Sequence, residues 1–163
     1  MFRTFTAAAF AFSAAALSAA PAAAFDFVTI KREIEVARPA AVVWAKVGDY
    51  CAISEWLKIK CAMKSGAGEA GSVRLLNGQV EEVMVGKTAY SYTYQQNVGP
   101  MTPNLYHGTL DVVPVDAKRS KIVYTLVYDQ QPMSAEDKTT QKARMNERFQ
   151  AAIETMKGMA EGK

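Results

Sequence analysis

The sequence predicts an α+β domain in which a curved antiparallel sheet of six or seven strands wraps around one long C-terminal helix. Two observations lead to this fold class. Short segments that alternate between apolar and polar residues follow one another through the middle of the chain, separated by turn residues. The last part of the chain instead repeats its apolar residues at helical spacing. Strands followed by a separate helix are typical of α+β domains rather than of domains with a parallel sheet.

The first 24 residues have the layout of a signal peptide. Arg3 is their only charged residue, an Ala-rich apolar run follows, and Pro21 precedes three alanines. An apolar stretch of this length is too short to span a bilayer, and the small residues predict cleavage after Ala24. We expect a periplasmic or secreted protein in which residues 25–163 form one domain. The alternative, an uncleaved membrane anchor, would normally be followed by a basic cluster that this sequence lacks.

Composition excludes several classes of protein. The full chain has 19 Lys and Arg against 16 Asp and Glu, a formal net charge of +3, and the leader contributes one of the positive charges. Charges of both signs are interspersed, so the sequence predicts no basic surface for nucleic acid and no polybasic membrane patch. After the leader, no apolar run approaches the roughly 20 residues of a spanning helix. We therefore expect no nucleic-acid partner and no stable membrane insertion.

The domain is predicted to begin with a strand and two short helices. The strand covers residues 26–36, where apolar and charged residues alternate. Pro39 then begins a helix that ends at 48–49, because proline is well tolerated at the first helical position. A second short helical segment is predicted at 52–57. These elements precede the main run of strands.

Five more strands and a long helix complete the predicted domain. The strands lie at 72–76, 79–85, 89–95, 105–113 and 121–128. Asn77 and Gly78 form a two-residue hairpin signal between the first two of them. Ser134, with Asp137 three residues later, resembles a capping box and begins the terminal helix, which is predicted to reach Gly158. Because this helix is rich in Met and Ala rather than Leu, we expect a cavity between helix and sheet.

The two cysteines, Cys51 and Cys61, are predicted to form a disulfide. Both lie in the exported part of the chain, and disulfides persist in oxidising compartments. Closing this loop would stabilise the fold by about 3 kcal/mol, because it restricts the unfolded chain. A metal or redox pair would need further ligands or a Cys-x-x-Cys spacing, and the chain has one histidine, His107. We predict no metal site and no cofactor.

The order and spacing of several short motifs resemble the START-like, or SRPBCC, superfamily of helix-grip proteins, which includes Bet v 1. The resemblance is to its polyketide cyclase/dehydrase and lipid-transport branch, and it extends over the chain that follows the leader. The motifs lie at 34–44, 48–50, 71–74, 80–82, 90–94, 99–101 and 106–110. Members of this superfamily bind hydrophobic molecules in a deep pocket between sheet and helix, and a minority are enzymes. The resemblance therefore implies a ligand-binding cavity.

Tyrosines on the predicted strands are candidate ligand-binding residues. Tyr92 and Tyr94 share one strand face. We expect Tyr106, Tyr124 and Tyr128 to face the pocket, because their neighbours on that face are apolar or small. Tyrosine rings with hydroxyls suit a ligand that is mostly hydrophobic and carries a few polar groups. For Tyr92 and Tyr94 a water-facing position is the alternative, since tyrosine has a high strand propensity.

Glu82 and His107 are the candidate catalytic residues. A buried Glu82 would have a raised pKa and could act as an acid or bind a ligand hydroxyl. Strand alternation does not decide whether Glu81 or Glu82 faces inward, and the family resemblance favours Glu82. His107 is expected to point away from Tyr106, and without a visible acid or nucleophile partner a surface position is the main alternative to a catalytic base. No hydrolase, metalloprotease or phosphate-loop motif occurs in the sequence.

The resemblance also implies that Trp56 and the loop at 99–103, with Met101 at its tip, form the pocket entrance and its gate. Three functions remain open. The first is an exported protein that binds a small hydrophobic or amphipathic ligand, such as a lipid or a polyketide-like molecule. The second is a cyclase- or dehydratase-like enzyme that uses acid–base chemistry. The third is a periplasmic accessory protein of the MxaD type, which would act on an oxidation system through contacts with a protein partner.

Overall fold

A computed structural model describes residues 24–163, which form one antiparallel sheet crossed by a long helix. The predicted signal peptide lies, apart from Ala24, outside the described residues. The elements are β1 (Phe27–Val36), α1 (Ala40–Val47), α2 (Ile53–Trp56), β2 (Cys61–Ser65), β3 (Val73–Leu76), β4 (Val80–Lys87), β5 (Ser91–Val98), β6 (His107–Pro114), β7 (Ser120–Asp129) and α3 (Ala135–Glu161). The sheet order is β1-β7-β6-β5-β4-β3-β2. The predicted fold class and the order of its elements are confirmed.

One strand, β2, was not predicted from the sequence. It lies at the edge of the sheet and pairs with β3 alone. All of its residues after Cys61 are exposed. A strand with no buried face carries no alternation of apolar and polar residues, so the pattern that reveals the other strands is missing here.

The turn between β3 and β4 is one residue longer than the two-residue hairpin predicted for it. Leu76 pairs with Val80, so the turn consists of Asn77, Gly78 and Gln79. Asn77 and Gly78 both have positive φ, 49° and 71°, a backbone region that asparagine and glycine adopt more readily than other residues. The hairpin signal was therefore correct in position and wrong in length.

This extra residue decides which acidic side chain faces inward. Turn length sets the register of a hairpin, and a shift of one residue moves every side chain of a strand to the other face of the sheet. The three-residue turn places Arg74 opposite Glu82, whereas a two-residue turn would have placed it opposite Glu81. Glu82 is buried, and Glu81 is only half-buried.

The helices begin and end near the predicted residues. Pro39 is the N-cap of α1. At the start of α3, the Ser134 hydroxyl accepts a hydrogen bond from the Asp137 backbone N–H at 3.1 Å, which satisfies one of the free donors of a helix N-terminus. α3 ends at Glu161, three residues beyond the predicted end. Its buried face packs on the concave side of the sheet through residues that include Phe149.

Cys51 and Cys61 form a disulfide with an S–S distance of 2.03 Å, as predicted. Cys51 lies between α1 and α2, and Cys61 is the first residue of β2. The bond therefore closes the segment that contains α2 and attaches it to the edge of the sheet.

Candidate functional site

A cavity of about 220 Å³ lies between the concave face of the sheet and α3. The sequence predicted such a space from the composition of the terminal helix. Side chains from α2 and the residues that follow it, from β3, β4 and β5, and from α3 form its walls. Most of the lining is apolar and includes Ile53, Leu57, Leu76, Val80, Met145 and Phe149.

Polar side chains line the cavity at two depths. Glu82, Tyr94 and Tyr106 line it and are almost fully buried, at 4%, 1% and 4% exposure. Arg144 and Arg148 also line it but are exposed on α3. The buried groups therefore mark the inner end of the cavity, and the arginines mark its mouth.

Glu82 at the inner end forms an ion pair with Arg74 from the neighbouring strand. Arg74 Nε donates to Glu82 Oε2 at 2.8 Å, and Arg74 Nη2 lies 2.6 Å from the same oxygen. Arg74 Nη1 donates to the backbone carbonyl of Tyr50 at 2.6 Å. Glu82 Oε1 accepts no side-chain hydrogen bond from residues 24–163, and it is the carboxylate oxygen left to meet a ligand.

Aromatic rings surround the Arg74 guanidinium. Its central carbon lies 4.3 Å from the centre of the Tyr50 ring and 4.7 Å from that of Tyr94. Such cation–π contacts are stronger when the cation is removed from water. They offset part of the cost of burying a charge that is completely shielded from solvent.

The position of Glu82 also changes its acidity. Burial raises the pKa of the Glu82 carboxyl, and the nearby Arg74 charge opposes that rise. A buried carboxyl that keeps a cationic partner is a strong hydrogen-bond acceptor when ionised. The inner end of the cavity therefore favours a ligand group that can donate a hydrogen bond.

Three tyrosine hydroxyls form a chain beside this pair. The Tyr94 hydroxyl lies 2.9 Å from that of Tyr124 and 3.2 Å from that of Tyr106. Burial raises the pKa of all three hydroxyls, so they stay protonated at neutral pH. Three hydroxyls supply three hydrogens and the two bonds between them use two, so one hydrogen is left to donate. Because Tyr106 lines the cavity, it can present this group to a ligand.

A glycine on β6 makes room for the Tyr94 ring. Gly108 is paired with Tyr94 across β5 and β6, and a Cβ atom at Gly108 would lie 2.3 Å from Cζ and from the hydroxyl oxygen of Tyr94. Any larger residue would push the ring away. The position of the Tyr94 ring therefore requires glycine at position 108, and the chain of hydroxyls depends on that position.

Four of the predicted ligand-binding residues line the cavity: Glu82, Tyr94, Met101 and Tyr106. The Met101 loop is tied to β5, because the Met101 backbone N–H donates to Gln96 Oε1 at 2.7 Å. Met101 also contacts α3, where Gln141 Nε2 lies 3.4 Å from its sulfur. This loop therefore closes one side of the cavity, and its role as a gate stays a prediction.

The other four predicted residues, Trp56, Tyr92, Tyr124 and Tyr128, are buried but do not line the cavity. Trp56 is 2% exposed and its ring centre lies 5.8 Å from that of Tyr124. The Tyr124 ring in turn packs against Phe149, with the two ring centres 4.7 Å apart and the planes tilted by 45°. Trp56 therefore lies in the packing behind the wall rather than at an entrance. Tyr92, like its neighbour Tyr94, faces the protein interior and not water.

His107 and Glu81 lie away from the cavity. His107 is half-buried, and its Nδ1 lies 2.6 Å from the carbonyl oxygen of Leu105. It points away from Tyr106, as the strand alternation predicted, and the structure does not bring it near Glu82. Glu81 pairs with Lys64 near the surface.

Sequence reasoning missed the arginines of the site. Arg74 was noted only as part of a family motif, although it alternates with Leu76 on the buried side of a predicted strand. Arg144 and Arg148 lie outside the apolar repeat that predicts the helix. The signal that could have found them is their spacing of four, which places them one turn apart beside Met145 and Phe149.

Within residues 24–163, no group of three or more His, Cys, Asp or Glu side chains is arranged to hold a metal ion. The same part of the chain contains no helix that is both long enough and apolar enough to cross a membrane.

Comparison with solved structures identifies the fold. A protein from Thermobifida fusca is 24% identical, with a TM-score of 0.70 over 81% of this chain and 92% of that one. The Zhui aromatase/cyclase from Streptomyces sp. R1128 is 16% identical, with a TM-score of 0.68 over 83% and 94%. Norcoclaurine synthase from Thalictrum flavum, in complex with dopamine and hydroxybenzaldehyde, is 17% identical, with a TM-score of 0.61 over 82% and 86%. Identities this low establish a common fold and not a common activity.

At the level of sequence, no curated protein matches this chain. Residues 27–161 match the family described as polyketide cyclase/dehydrase and lipid transport. That match begins with the first residue of β1 and ends with the last residue of α3. It therefore includes the whole sheet, the long helix and the cavity between them, and the chain belongs to the polyketide cyclase/dehydrase and lipid-transport family of the SRPBCC superfamily.

Proposed function

We propose that this protein binds a small, mostly apolar molecule with one or two polar oxygens in the cavity between the sheet and α3. The observation that carries the proposal is the cavity itself. Apolar walls enclose a buried end at which Glu82 and Tyr106 offer an acceptor and a hydroxyl. Sites of this kind, apolar with a few convergent polar groups, are typical of small-molecule binding.

The size of the cavity limits the ligand. Its volume of about 220 Å³ is smaller than the ~300–1,000 Å³ of most drug-binding pockets. A single-ring compound or a short acyl chain fits this volume, and a long-chain lipid or a multi-ring polyketide exceeds it. The dopamine and hydroxybenzaldehyde bound to norcoclaurine synthase, a protein of the same fold, are single-ring molecules.

Binding is tested by thermal unfolding of the purified protein with single-ring phenols and benzaldehydes, 4-hydroxybenzaldehyde among them. We expect at least one to raise the melting temperature, because a ligand that binds only the folded state stabilises it. Met145→Trp, which fills the cavity, should abolish the shift. Met159→Trp, on the same helix but outside the lining, should keep it. A shift that survives Met145→Trp, or no shift with any compound, would contradict the proposal.

A second candidate function is acid–base catalysis of the cyclase or dehydratase type. It is favoured by one observation, that a carboxyl with a raised pKa and the Tyr106 hydroxyl line the same cavity. Against it, Glu82 bonds to Arg74, and the tyrosine hydroxyls bond to one another. Mass spectrometry of the bound compound after incubation separates the two functions. Chemical conversion that stops in Glu82→Gln would establish catalysis, whereas unchanged compound is the result expected of a binding protein.

We also propose that the protein acts outside the cytoplasm after cleavage behind Ala24. The Cys51–Cys61 disulfide supports this, because such bonds persist in oxidising compartments. The intact mass of protein recovered from a periplasmic extract tests it. A mature chain that begins at Phe25 is expected, and full-length protein confined to the cytoplasm would overturn this part of the proposal.

A further inference from the structure

Two arginines of α3 lie where the cavity opens to solvent. Arg144 and Arg148 are one helical turn apart, and both line the cavity while remaining exposed. Met145 and Phe149, next to them on the helix, are buried in the cavity wall. A ligand whose apolar part contacts Met145 and Phe149 would therefore have its outer end beside two guanidinium groups.

Neither arginine has an acidic partner within residues 24–163. The ion pairs of that part of the chain involve other residues. Arg144 Nη2 donates to Gln141 Oε1, and this leaves the other four N–H donors of its guanidinium available. Arg148 makes no side-chain hydrogen bond to any residue in the same range. The mouth thus holds two planar groups whose geometry suits a carboxylate.

The charges around the cavity do not cancel. Glu82 carries the one negative charge of the lining and is paired with Arg74, so the two arginines at the mouth remain as an excess of positive charge. Arg148 also acts on the interior, since its charge lowers the pKa of the Glu82 carboxyl and of the Tyr106 hydroxyl against the effect of burial. The electrostatic field of the mouth therefore reaches the inner end.

We propose that the natural ligand is a small carboxylate, with its anionic group held by Arg144 and Arg148 at the mouth and a hydroxyl or carbonyl directed at Tyr106 and Glu82. The inference rests on the proposed binding function and adds the charge and the orientation of the ligand. An apolar body, preferably one aromatic ring, lies between the two polar ends against Phe149. Each part of such a molecule, from the carboxylate at the mouth to the polar oxygen at the inner end, would then contact side chains of complementary chemistry.

Three probes of similar size and different charge test the inference: 4-hydroxyphenylacetate, its methyl ester, and tyramine, measured by isothermal titration calorimetry at neutral pH. We expect the carboxylate to bind about tenfold more tightly than the ester, because charge-assisted hydrogen bonds are the stronger kind. Tyramine should bind most weakly. Raising the ionic strength should reduce the advantage of the carboxylate and leave the ester unaffected.

Variants assign the effect to the arginines. In Arg148→Gln, and in the double variant that also carries Arg144→Gln, the ratio of the carboxylate's binding affinity to that of the ester should fall close to one. Lys142→Gln removes a positive charge from an exposed site on the same helix, outside the lining, and should leave the ratio unchanged. A ratio equally reduced by all three variants would indicate general charge attraction and would overturn the inference.

The outcomes separate this inference from the proposed function. If the ester or the neutral phenols bind and the carboxylate has no advantage, the protein binds small molecules and the anionic ligand is wrong. If none of the three probes and none of the neutral phenols or benzaldehydes binds, the proposed function fails and the inference fails with it.

Discussion

The Arg74 side chain on β3 contacts three other parts of the molecule. It donates to Glu82 on β4 and to the carbonyl of Tyr50 in the loop after α1, and it lies against the Tyr94 ring on β5. Because the guanidinium is wholly buried, each of these contacts is made away from water, where the loss of a partner is costly. The inner wall of the cavity therefore depends on this one residue.

We expect Arg74→Met to destabilise the fold by about 3–5 kcal/mol, because it leaves the Glu82 carboxylate buried without a partner. The double variant with Glu82→Leu should recover most of the loss, since two apolar side chains can replace a buried ion pair at little cost. The free energy of unfolding in urea measures both. If the single and double variants are equally unstable, the loss comes from packing and not from the charge.

Gly108→Ala should destabilise the protein by about 1–3 kcal/mol, because the new methyl group overlaps the Tyr94 ring. Gly86→Ala is a matched control, since Gly86 is also in a strand and a Cβ there meets no atom within 4 Å. Chemical denaturation of both variants tests this. In a Tyr94→Ala background the cost of Gly108→Ala should largely disappear, and an unchanged cost would contradict the assignment to the ring.

The sequence predicted these residues only in part. Glu82 was an inward candidate from alternation and family resemblance, but its partner depended on a turn whose length the residues Asn77 and Gly78 do not determine. A pair of facing side chains is a property of register, and register follows from the turn. Strand alternation can place Arg74 on a face, but it cannot name the residue opposite.

Strand β1 forms one edge of the sheet and pairs with β7 along its full length. Glu33 on β1 contributes a salt bridge to Lys121 on β7 at 2.9 Å and a second one to Lys31 at 2.8 Å. The hydrogen bonds from Lys31 and Lys121 lower the pKa of Glu33 from its ordinary 4.5 to about 2. Both salt bridges lie at the surface, so their contribution to stability weakens as the salt concentration rises.

The lowered pKa fixes the pH range in which Glu33 stabilises the pairing of β1 and β7. A carboxyl whose pKa is lower in the folded state contributes stability above its unfolded value, and this contribution is lost as the pH falls. The stability difference between the natural protein and Glu33→Gln should be constant above about pH 4.5 and vanish towards pH 2. Urea unfolding across this range at low salt measures it. A difference that does not change with pH would contradict the prediction.

The disulfide acts on the segment that contains α2. Replacing Cys51 and Cys61 together by serine should lower the free energy of unfolding by about 3 kcal/mol, because the unfolded chain regains the freedom of the closed loop. Reductant should produce a similar loss in the natural protein and no further loss in the variant. Equal stability of the oxidised and reduced protein would show that the bond does not support the fold.

Within residues 24–163, the sequence predicted six of the seven strands and all three α-helices. The elements with a buried face were visible because burial imposes a period on the sequence. β2 was not, since it is exposed and short, and its place in the sheet comes from pairing with β3. The disulfide was predicted because the chain has two cysteines and its first residues predict export to an oxidising compartment.

For the molecule as a whole, the fold follows from the spacing of apolar residues along the sequence. The cavity follows from the amino-acid composition of α3, and what the cavity could bind depends on a few side chains that line it. The sequence predicted the cavity because α3 is rich in Met and Ala. The positive charge at the mouth was not predicted, because the sequence does not show which turn of α3 lies at the opening. The alternative of an accessory protein that acts through protein contacts stays a prediction.

The pairing of β1 with β7 also bears on how the chain folds. The Asp26 backbone N–H donates a hydrogen bond to Asp129 Oδ1, a residue 103 positions later in the sequence. Asp26 directly precedes β1, the first strand of the domain, and Asp129 ends β7, the last strand. Contacts between residues so far apart in sequence slow folding, because a long loop must close before they form. During synthesis the first strand emerges long before its partner. The strand that is synthesised first is therefore among the last to find its partner. Until β7 has been made, β1 stays unpaired and can pair with the wrong strand.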